Sequence, residues 1–187
     1  MLRIIGGTAR GVPIKAPDTK NTRPTLDRIK ESVFNILMPY IADTVVLDLF
    51  AGSGSLGIEA LSRGAKSAVF VDKSKKCRDL ILDNLDKTKF TKQATVLAMD
   101  AAKAINYLYR RQEKFDIIFL DPPYKMNFIV RTIQNIDDFD IMSEESILAC
   151  EHHMDETPPE KVGKLVRTRV KHYGETLFSF YVKETRS

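Results

Sequence analysis

Short apolar runs alternate with amphipathic segments along the middle of the chain. The apolar runs have the length and composition of buried strands, whereas the segments between them repeat apolar residues at helical spacing. The predicted strands are residues 44–49, 68–71, 95–98, 115–120 and 147–150, and the predicted helices are residues 56–62, 74–87, 101–111 and 128–136. Regular alternation of this kind is typical of an α/β fold with a parallel sheet and helices on both faces.

The C-terminal part departs from this alternation. Residues 164–171 and 176–183 are strand-like runs around Tyr173-Gly174. Because the connection is too short for a crossover helix, these runs are predicted to form an antiparallel hairpin at one edge of the sheet. The preceding segment 154–163 is predicted to be a polar, mobile loop.

The N-terminal part also differs from the middle. The short strand-like segments 3–5 and 12–14 flank a glycine-rich turn, which predicts a small hairpin with Arg10 at its tip. An amphipathic helix is predicted to open near Arg23 and to end at Pro39.

A length of 187 residues suits one domain with a substantial core. We expect a single domain over residues 1–187, with residues 1–40 as a basic extension and residues 41–187 as the core that carries the chemistry. The first 30 residues contain seven Lys and Arg against two Asp, a net charge of +5, whereas the whole chain has +4. Such an excess indicates phosphate binding, with a merely solvated surface as the alternative. The candidate phosphate-binding residues are Arg3, Arg10, Lys15, Arg23 and Arg28.

From the sequence we expect neither a signal peptide nor a membrane span nor a metal site. The apolar run at residues 2–5 is interrupted by an arginine, and no stretch approaches the length of a membrane span. Cys77 and Cys150 lack metal-ligand spacing and suit a reducing compartment, so we expect a cytoplasmic protein. His152 and His153 have no further ligand set nearby in the sequence, and no metal site is predicted.

A glycine-rich segment joins the strand 44–49 to the following helix. Gly52, Gly54 and Gly57 match Gly-x-Gly-x-x-Gly, the pattern of a dinucleotide-binding turn. A pyrophosphate would be repelled by Asp48 at the end of the strand, whereas the ammonium and sulfonium groups of S-adenosyl-L-methionine would be attracted. We therefore predict an S-adenosylmethionine site. An NAD-dependent oxidoreductase is the alternative, although Asp48 would then have no role. The candidate cofactor-binding residues here are Asp48, Phe50, Ala51, Gly52, Ser53 and Gly54.

Acidic residues also follow the next two strands. Asp72 is predicted to accept hydrogen bonds from a ribose diol, and Asp100 from an adenine amino group. Each acid alone is more often a turn residue or a helix cap. Strands that end in Asp at positions 48, 72, 100 and 121 are harder to explain in that way. The candidate cofactor-binding residues at these two strand ends are Asp72, Lys73, Asp100 and Ala101.

The strand 115–120 is followed by Asp121-Pro122-Pro123-Tyr124. A carboxylate, a stiff backbone and an aromatic ring at the carboxyl end of a strand can hold an exocyclic amine and stack on the base that carries it. A rigid turn is the structural alternative. A module that only binds RNA would leave the strand-end acids without a role. We predict that these four residues form the catalytic site.

In combination, these motifs resemble the bacterial 16S rRNA guanine-N2 methyltransferases of the RsmD family. The resemblance covers essentially the whole chain. It rests on the Arg3-Ile-Ile-Gly-Gly opening, Arg23-Pro-Thr with Asp27-Arg28, the block that begins at Asp48, Asp121-Pro-Pro-Tyr, and the hairpin at Tyr173-Gly174. Tyr124 stands where the family often has Phe, and Asp72 stands where it commonly has Glu.

The resemblance implies a Rossmann-like class I methyltransferase fold with a seven-stranded, mostly parallel sheet and a reversed last strand. It also implies S-adenosylmethionine as the cofactor and methylation of the exocyclic N2 of one guanine in 16S rRNA. The substrate is expected within an assembling or assembled small ribosomal subunit, the basic extension is expected to bind this RNA, and we expect a monomer. The closest alternative is an N6-adenine methyltransferase acting on RNA or DNA, because Asp-Pro-Pro-Tyr serves adenine amines equally well. DNA enzymes of that type usually need an extra recognition domain.

Overall fold

Fifteen helices and strands follow one another in the computed structural model, which describes residues 2–16, 23–123 and 126–184. In chain order they are β1 (Leu2–Arg3), β2 (Pro13–Ile14), α1 (Arg23–Leu37), β3 (Val45–Asp48), α2 (Ser55–Ser62), β4 (Ser67–Asp72), α3 (Lys75–Thr88), β5 (Ala94–Ala98), α4 (Ala101–Arg110), β6 (Phe115–Leu120), α5 (Met126–Asp138), β7 (Met142–His153), β8 (Lys161–Val162), β9 (Leu165–Tyr173) and β10 (Thr176–Lys183). Short 3-10 helices lie at Met38–Tyr40, Thr91–Gln93 and Met154–Glu156.

The main sheet has the strand order β5-β4-β3-β6-β7-β10-β9-β8. The pairs from β5 to β7 are parallel, whereas β10 runs antiparallel to both β7 and β9. The predicted parallel sheet and the predicted antiparallel C-terminal hairpin are therefore confirmed.

Helices cover both faces of this sheet because its central strands are apolar on both sides. Along β6, Ile117 and Phe119 belong to the core beneath α1, α2 and α3, whereas Ile118 and Leu120 belong to the core beneath α4 and α5. This pattern is typical of strands that are buried on both faces. In a sheet of this kind, the carboxyl ends of the parallel strands form the edge at which a ligand can bind.

Two features of the C-terminal half differ from the prediction. Strand β7 runs over Met142–His153, well beyond the predicted residues 147–150. Its C-terminal part pairs with β10 from Leu148 to His153, and its first residue, Met142, pairs with Phe115 of β6. The segment predicted as a polar loop contains β8, which adds an eighth strand to the edge of the sheet. Gly163, with φ +59°, allows the tight turn that pairs Val162 with Leu165.

The N-terminal hairpin is also shorter than predicted. The backbone N–H groups of Ile5 and Gly6 do not pair with β2 but donate to the carboxylate of Glu59 on α2, each at 2.8 Å. Glu59 is fully buried and also forms ion pairs with Lys30 at 3.2 Å and Arg63 at 2.8 Å. The extension is thus fixed to the core through one carboxylate.

Candidate active site

Carboxyl groups lie at or near the carboxyl ends of five neighbouring strands. In the order of the sheet they belong to Asp100 after β5, Asp72 on β4, Asp48 on β3, Asp121 after β6 and Glu151 on β7. The chain leaves β3 toward β4 on one side and returns to β6 on the other, so the sheet has its switch point between β3 and β6. Ligands of open α/β sheets bind in the crevice at such a point.

The predicted glycine turn follows β3 and leads into α2. Gly52 and Gly54 adopt φ values of +54° and +77°, which side chains rarely tolerate. The acids hold the turn in place, because Gly52 N–H donates to Asp72 Oδ2 at 3.0 Å and Gly57 N–H donates to Asp48 Oδ2 at 2.9 Å. A Cβ added at Gly52 would meet no atom within 4 Å, so the bare backbone faces open space in which a ligand can approach it closely.

Asp48 is the most buried of these carboxyls, at 2% exposure. Burial raises its pKa to about 7, the hydrogen bond from Gly57 opposes this, and the charges of Asp121 and Asp72 raise it further. Within the described residues, no Lys or Arg forms an ion pair with Asp48. A site of this charge disfavours a pyrophosphate and suits the ammonium and sulfonium groups of S-adenosylmethionine, so the residues present fit that cofactor.

Asp72 and Asp100 have local partners as well. Asp72 Oδ1 accepts a hydrogen bond from Ser74 N–H at 2.8 Å. Asp100 caps α4 by accepting from Lys103 N–H at 2.9 Å, and this hydrogen bond is the main reason that its pKa is lowered. The structure shows Asp100 as a helix cap, so its contact with adenine stays a prediction.

The other predicted cofactor residues surround the same strand ends. Ala51, Ser53 and Ala101 are buried, and Lys73 is exposed just beyond β4. Phe50 packs edge to face on Phe128 of α5, with ring centroids 5.5 Å apart. Phe128, which is 41% exposed, was not among the residues predicted from the sequence.

The Asp-Pro-Pro segment leaves β6 beside the glycine turn. Pro122 is buried, whereas Asp121 and Pro123 are exposed, and Tyr124 lies outside the described residues. Although Asp121 reaches solvent, protein atoms crowd its carboxyl, and this desolvation raises its pKa to about 6. Neither a hydrogen bond nor an ion pair ties this carboxyl to another side chain in the described part of the protein, which leaves it available to a substrate.

Glu151 is a candidate that sequence reasoning missed. Leu120 pairs with Cys150 in the parallel β6–β7 ladder, so the residues that follow them, Asp121 and Glu151, are neighbours. Burial and the charge of Asp121 raise the pKa of Glu151 to about 8. Glu151 follows the apolar run 147–150 as Asp121 follows the run 115–120, and applying the strand-end pattern to this fifth strand would have identified it.

The structure separates the predicted phosphate-binding residues. Arg3 and Arg10 line one depression, although Arg3 also forms an ion pair with Asp27 at 3.0 Å. Lys15 points elsewhere and pairs with Asp83 of α3 at 2.6 Å. Arg28 is exposed on α1, and the side chain of Arg23 lies outside the description.

The two adjacent histidines take different environments. His152 is fully buried, its Nε2 lies 2.8 Å from Ser179 Oγ, and burial lowers its pKa. Among the residues that the structure describes, no group of three or more His, Cys, Asp or Glu could hold a metal ion. The helices in this part of the chain are all too short or too polar to cross a membrane.

Comparison with known proteins decides the family. A family described as conserved hypothetical protein 95 matches residues 2–182. The chain belongs to this family. YlbH of Bacillus subtilis is 42% identical over 97% of this chain and 99% of its own length. Ribosomal RNA small subunit methyltransferase D of Escherichia coli is 32% identical over 99% of this chain and 91% of its own.

Solved structures agree with this relationship. The structure of yhhF from Escherichia coli is 30% identical, covers 99% of both chains and superposes with a TM-score of 0.86. A SAM-dependent methyltransferase from Agrobacterium tumefaciens has 17% identity and a TM-score of 0.62 over 88% of this chain and 63% of its own, which shows the fold alone. The resemblance to the RsmD family and the methyltransferase fold are therefore confirmed, and S-adenosylmethionine is the cofactor.

Proposed function

We propose that the protein transfers a methyl group from S-adenosylmethionine to the exocyclic N2 of a guanine in 16S rRNA. The observation that carries this proposal is the carboxylate of Asp121, which has no hydrogen bond or ion pair with another described side chain and precedes two prolines beside a glycine turn suited to the cofactor. Its relative in Escherichia coli is named as a methyltransferase of small-subunit rRNA. The resemblance of the whole motif set to the RsmD family supports guanine N2 as the target.

The chemistry of the target explains the need for acceptors. The lone pair of a guanine amine is delocalised into the ring, so the amine is a poor nucleophile. Hydrogen bonds from its two N–H groups to Asp121 and to the carbonyl of Pro122 would favour a pyramidal nitrogen with a free lone pair. When bound, the cofactor supplies an electrophilic methyl group on its sulfonium.

Asp121 can also receive the proton that the amine must release. Its pKa, raised to about 6, leaves it mostly ionised near neutral pH. The methyl carbon would bond to N2 as its bond to the sulfonium sulfur breaks, and N2 would then lose one N–H proton to a carboxylate oxygen of Asp121. The base must leave its stack first, at a cost of a few kcal/mol that contacts in the site have to offset.

Transfer of a tritium-labelled methyl group tests the proposal. Unmodified 16S rRNA, alone and in small subunits from cells that lack the enzyme, is incubated with labelled cofactor, and the RNA is digested to nucleosides. We expect N2-methylguanosine at one position. Label in N6-methyladenosine would instead support the adenine alternative, and comparison of free RNA with subunits identifies the form of the substrate.

A further inference from the structure

Two depressions on the face of the molecule that carries α1 meet at one residue. The first, of about 590 Å³, lies between the C-terminal half of α1 and the strands β9 and β10. The second, of about 410 Å³, lies between α1 and the loop that joins β1 to β2. Asn35, exposed on α1, lines both. The two depressions, which adjoin at Asn35, are together called the α1 groove.

The α1 groove is positively charged. Arg169 and Lys171 line its first part without any acidic neighbour in the lining, and Arg10 lies in its second part. Among the described residues, none of these three cations forms an ion pair. The other arginines of the second part, Arg3 and Arg63, are paired with carboxylates, and Glu31 is its one acidic lining residue. The unpaired cations are therefore free to bind phosphates.

One end of the groove approaches the candidate active site. Lys171 pairs across the sheet with Phe178 of β10, and Phe178 pairs with Glu151 of β7. Residues paired in this way project from the same face of a sheet, and two strand spacings amount to roughly 10 Å. Phe178 belongs to the core on the side of α1, so Lys171 and Glu151 share that side.

We propose that the α1 groove holds the rRNA strand that flanks the target base. This inference rests on the proposed function, because it extends the same substrate away from Asp121. Arg169, Lys171 and Arg10 would bind phosphates of this strand. Tyr40, 55% exposed in the lining of the first part, offers a ring on which an unpaired base can stack. An acidic peptide would use the cations but would leave that ring without a comparable partner.

The salt dependence of RNA binding tests the groove. Affinity of the full chain for unmodified 16S rRNA is measured at several salt concentrations for wild type, the Arg169→Ala/Lys171→Ala variant, and a control. Lys87→Ala/Lys92→Ala is the matched control, because it removes the same charge from exposed positions near the opposite edge of the sheet. The groove variant should flatten the slope of log K against log salt by about 1.4–1.8, the loss of two phosphate contacts, and the control should not.

A crosslinking measurement identifies the occupant. A photoreactive phenylalanine analogue in place of Tyr40 is irradiated with small subunits from cells that lack the enzyme. Crosslinks to 16S rRNA support the proposal, whereas crosslinks confined to ribosomal proteins overturn it. A groove variant whose salt slope equals that of the control also overturns it. Methylation of 16S rRNA by the wild type is measured separately. Methylation without the expected groove results would contradict only the RNA path proposed here, whereas absence of methylation would contradict the proposed function.

Discussion

Asp121 is the proposed catalytic residue, and its carboxylate forms no hydrogen bond or ion pair with another described side chain. We expect Asp121→Ala to reduce methyl transfer by roughly 10²–10³-fold, the usual effect of removing one preorganised transition-state contact. Cofactor affinity should stay nearly unchanged, because Asp121 is assigned to the amine. Single-turnover methylation and calorimetry measure the two effects. Asp121→Asn, which keeps an acceptor oxygen, separates acceptance of a hydrogen bond from charge. Wild-type turnover in the Ala variant would show that the catalytic assignment is wrong.

Glu151 makes the stability of the protein depend on pH. Its pKa is raised to about 8 in the folded protein, against about 4.3 for an unfolded Glu. Between these values the native state keeps a proton that the unfolded chain has released, so the stability contribution of this carboxyl is lost as pH rises. Glu151→Gln cannot ionise, and its melting temperature relative to wild type should increase from pH 5 to pH 9.

Thermal unfolding across this pH range measures the effect. Glu145→Gln is the matched control, since Glu145 is exposed on the same strand. A difference between Glu151→Gln and wild type that stays constant with pH would contradict the assignment. An additional readout is the pH profile of methyl transfer, in which Asp121 should still titrate near 6.

Part of the candidate active site could be predicted residue by residue from the sequence. Asp48, Asp72 and Asp121 could be found because each follows an apolar run, and strand ends converge at one edge of a parallel sheet. The need for glycine at position 57 could not be inferred from the sequence, because it depends on a tertiary contact. A Cβ at this position would lie 2.3 Å from the ring of Phe70. The raised pKa of Glu151 likewise requires knowing which strand lies next to β6.

At the scale of elements, α2 holds the N-terminal extension through Glu59. Glu59→Ala would leave Lys30 buried without its main partner and the N–H groups of Ile5 and Gly6 without an acceptor. Loss of one member of a buried ion pair typically costs about 3–5 kcal/mol, and we expect a destabilisation of that order. Urea unfolding measures it, with Glu31→Ala on the exposed side of α1 as the control. Equal midpoints for the two variants would show that this contact does not hold the extension.

The elements themselves were predictable to different degrees. The alternation of strands and helices from β3 to β7 could be predicted from the sequence. Each central strand is buried on both faces and is therefore a continuous apolar run. The lengths of β7 and β8 were not predictable, since they depend on pairing with the late strands β10 and β9. Strand β1 is short because of another contact between residues far apart in the chain. The carboxylate of Glu59 accepts hydrogen bonds from the N–H groups of Ile5 and Gly6, which could otherwise extend the strand.

At the scale of the whole molecule, charge is divided between two regions. The strand ends hold a row of carboxyls that suits a cationic cofactor. The face with α1 holds Arg and Lys that form no ion pair with any described residue and that suit an RNA backbone. Cofactor binding should therefore depend little on salt, whereas RNA binding should depend on it steeply. The excess of positive charge in the first 30 residues indicated such a division from sequence alone. The sequence could not show which cations are free, because ion pairs such as that of Lys15 with Asp83 join residues far apart in the chain.

This difference between Arg10 and Lys15 gives a prediction about the N-terminal extension. Arg10 has no ion pair within the described residues, whereas the Lys15 ammonium lies 2.6 Å from Asp83 Oδ2. Arg10→Ala should lower the slope of log K against log salt for 16S rRNA by about 0.7–0.9, as expected for one lost phosphate contact. Lys15→Ala should lower it less, because Asp83 already neutralises that charge. Filter binding over a range of salt concentrations measures both slopes, and calorimetry should show unchanged cofactor affinity in each variant. If Arg10→Ala kept the wild-type slope, the extension would be a solvated surface, and the RNA contacts would lie on β9 alone.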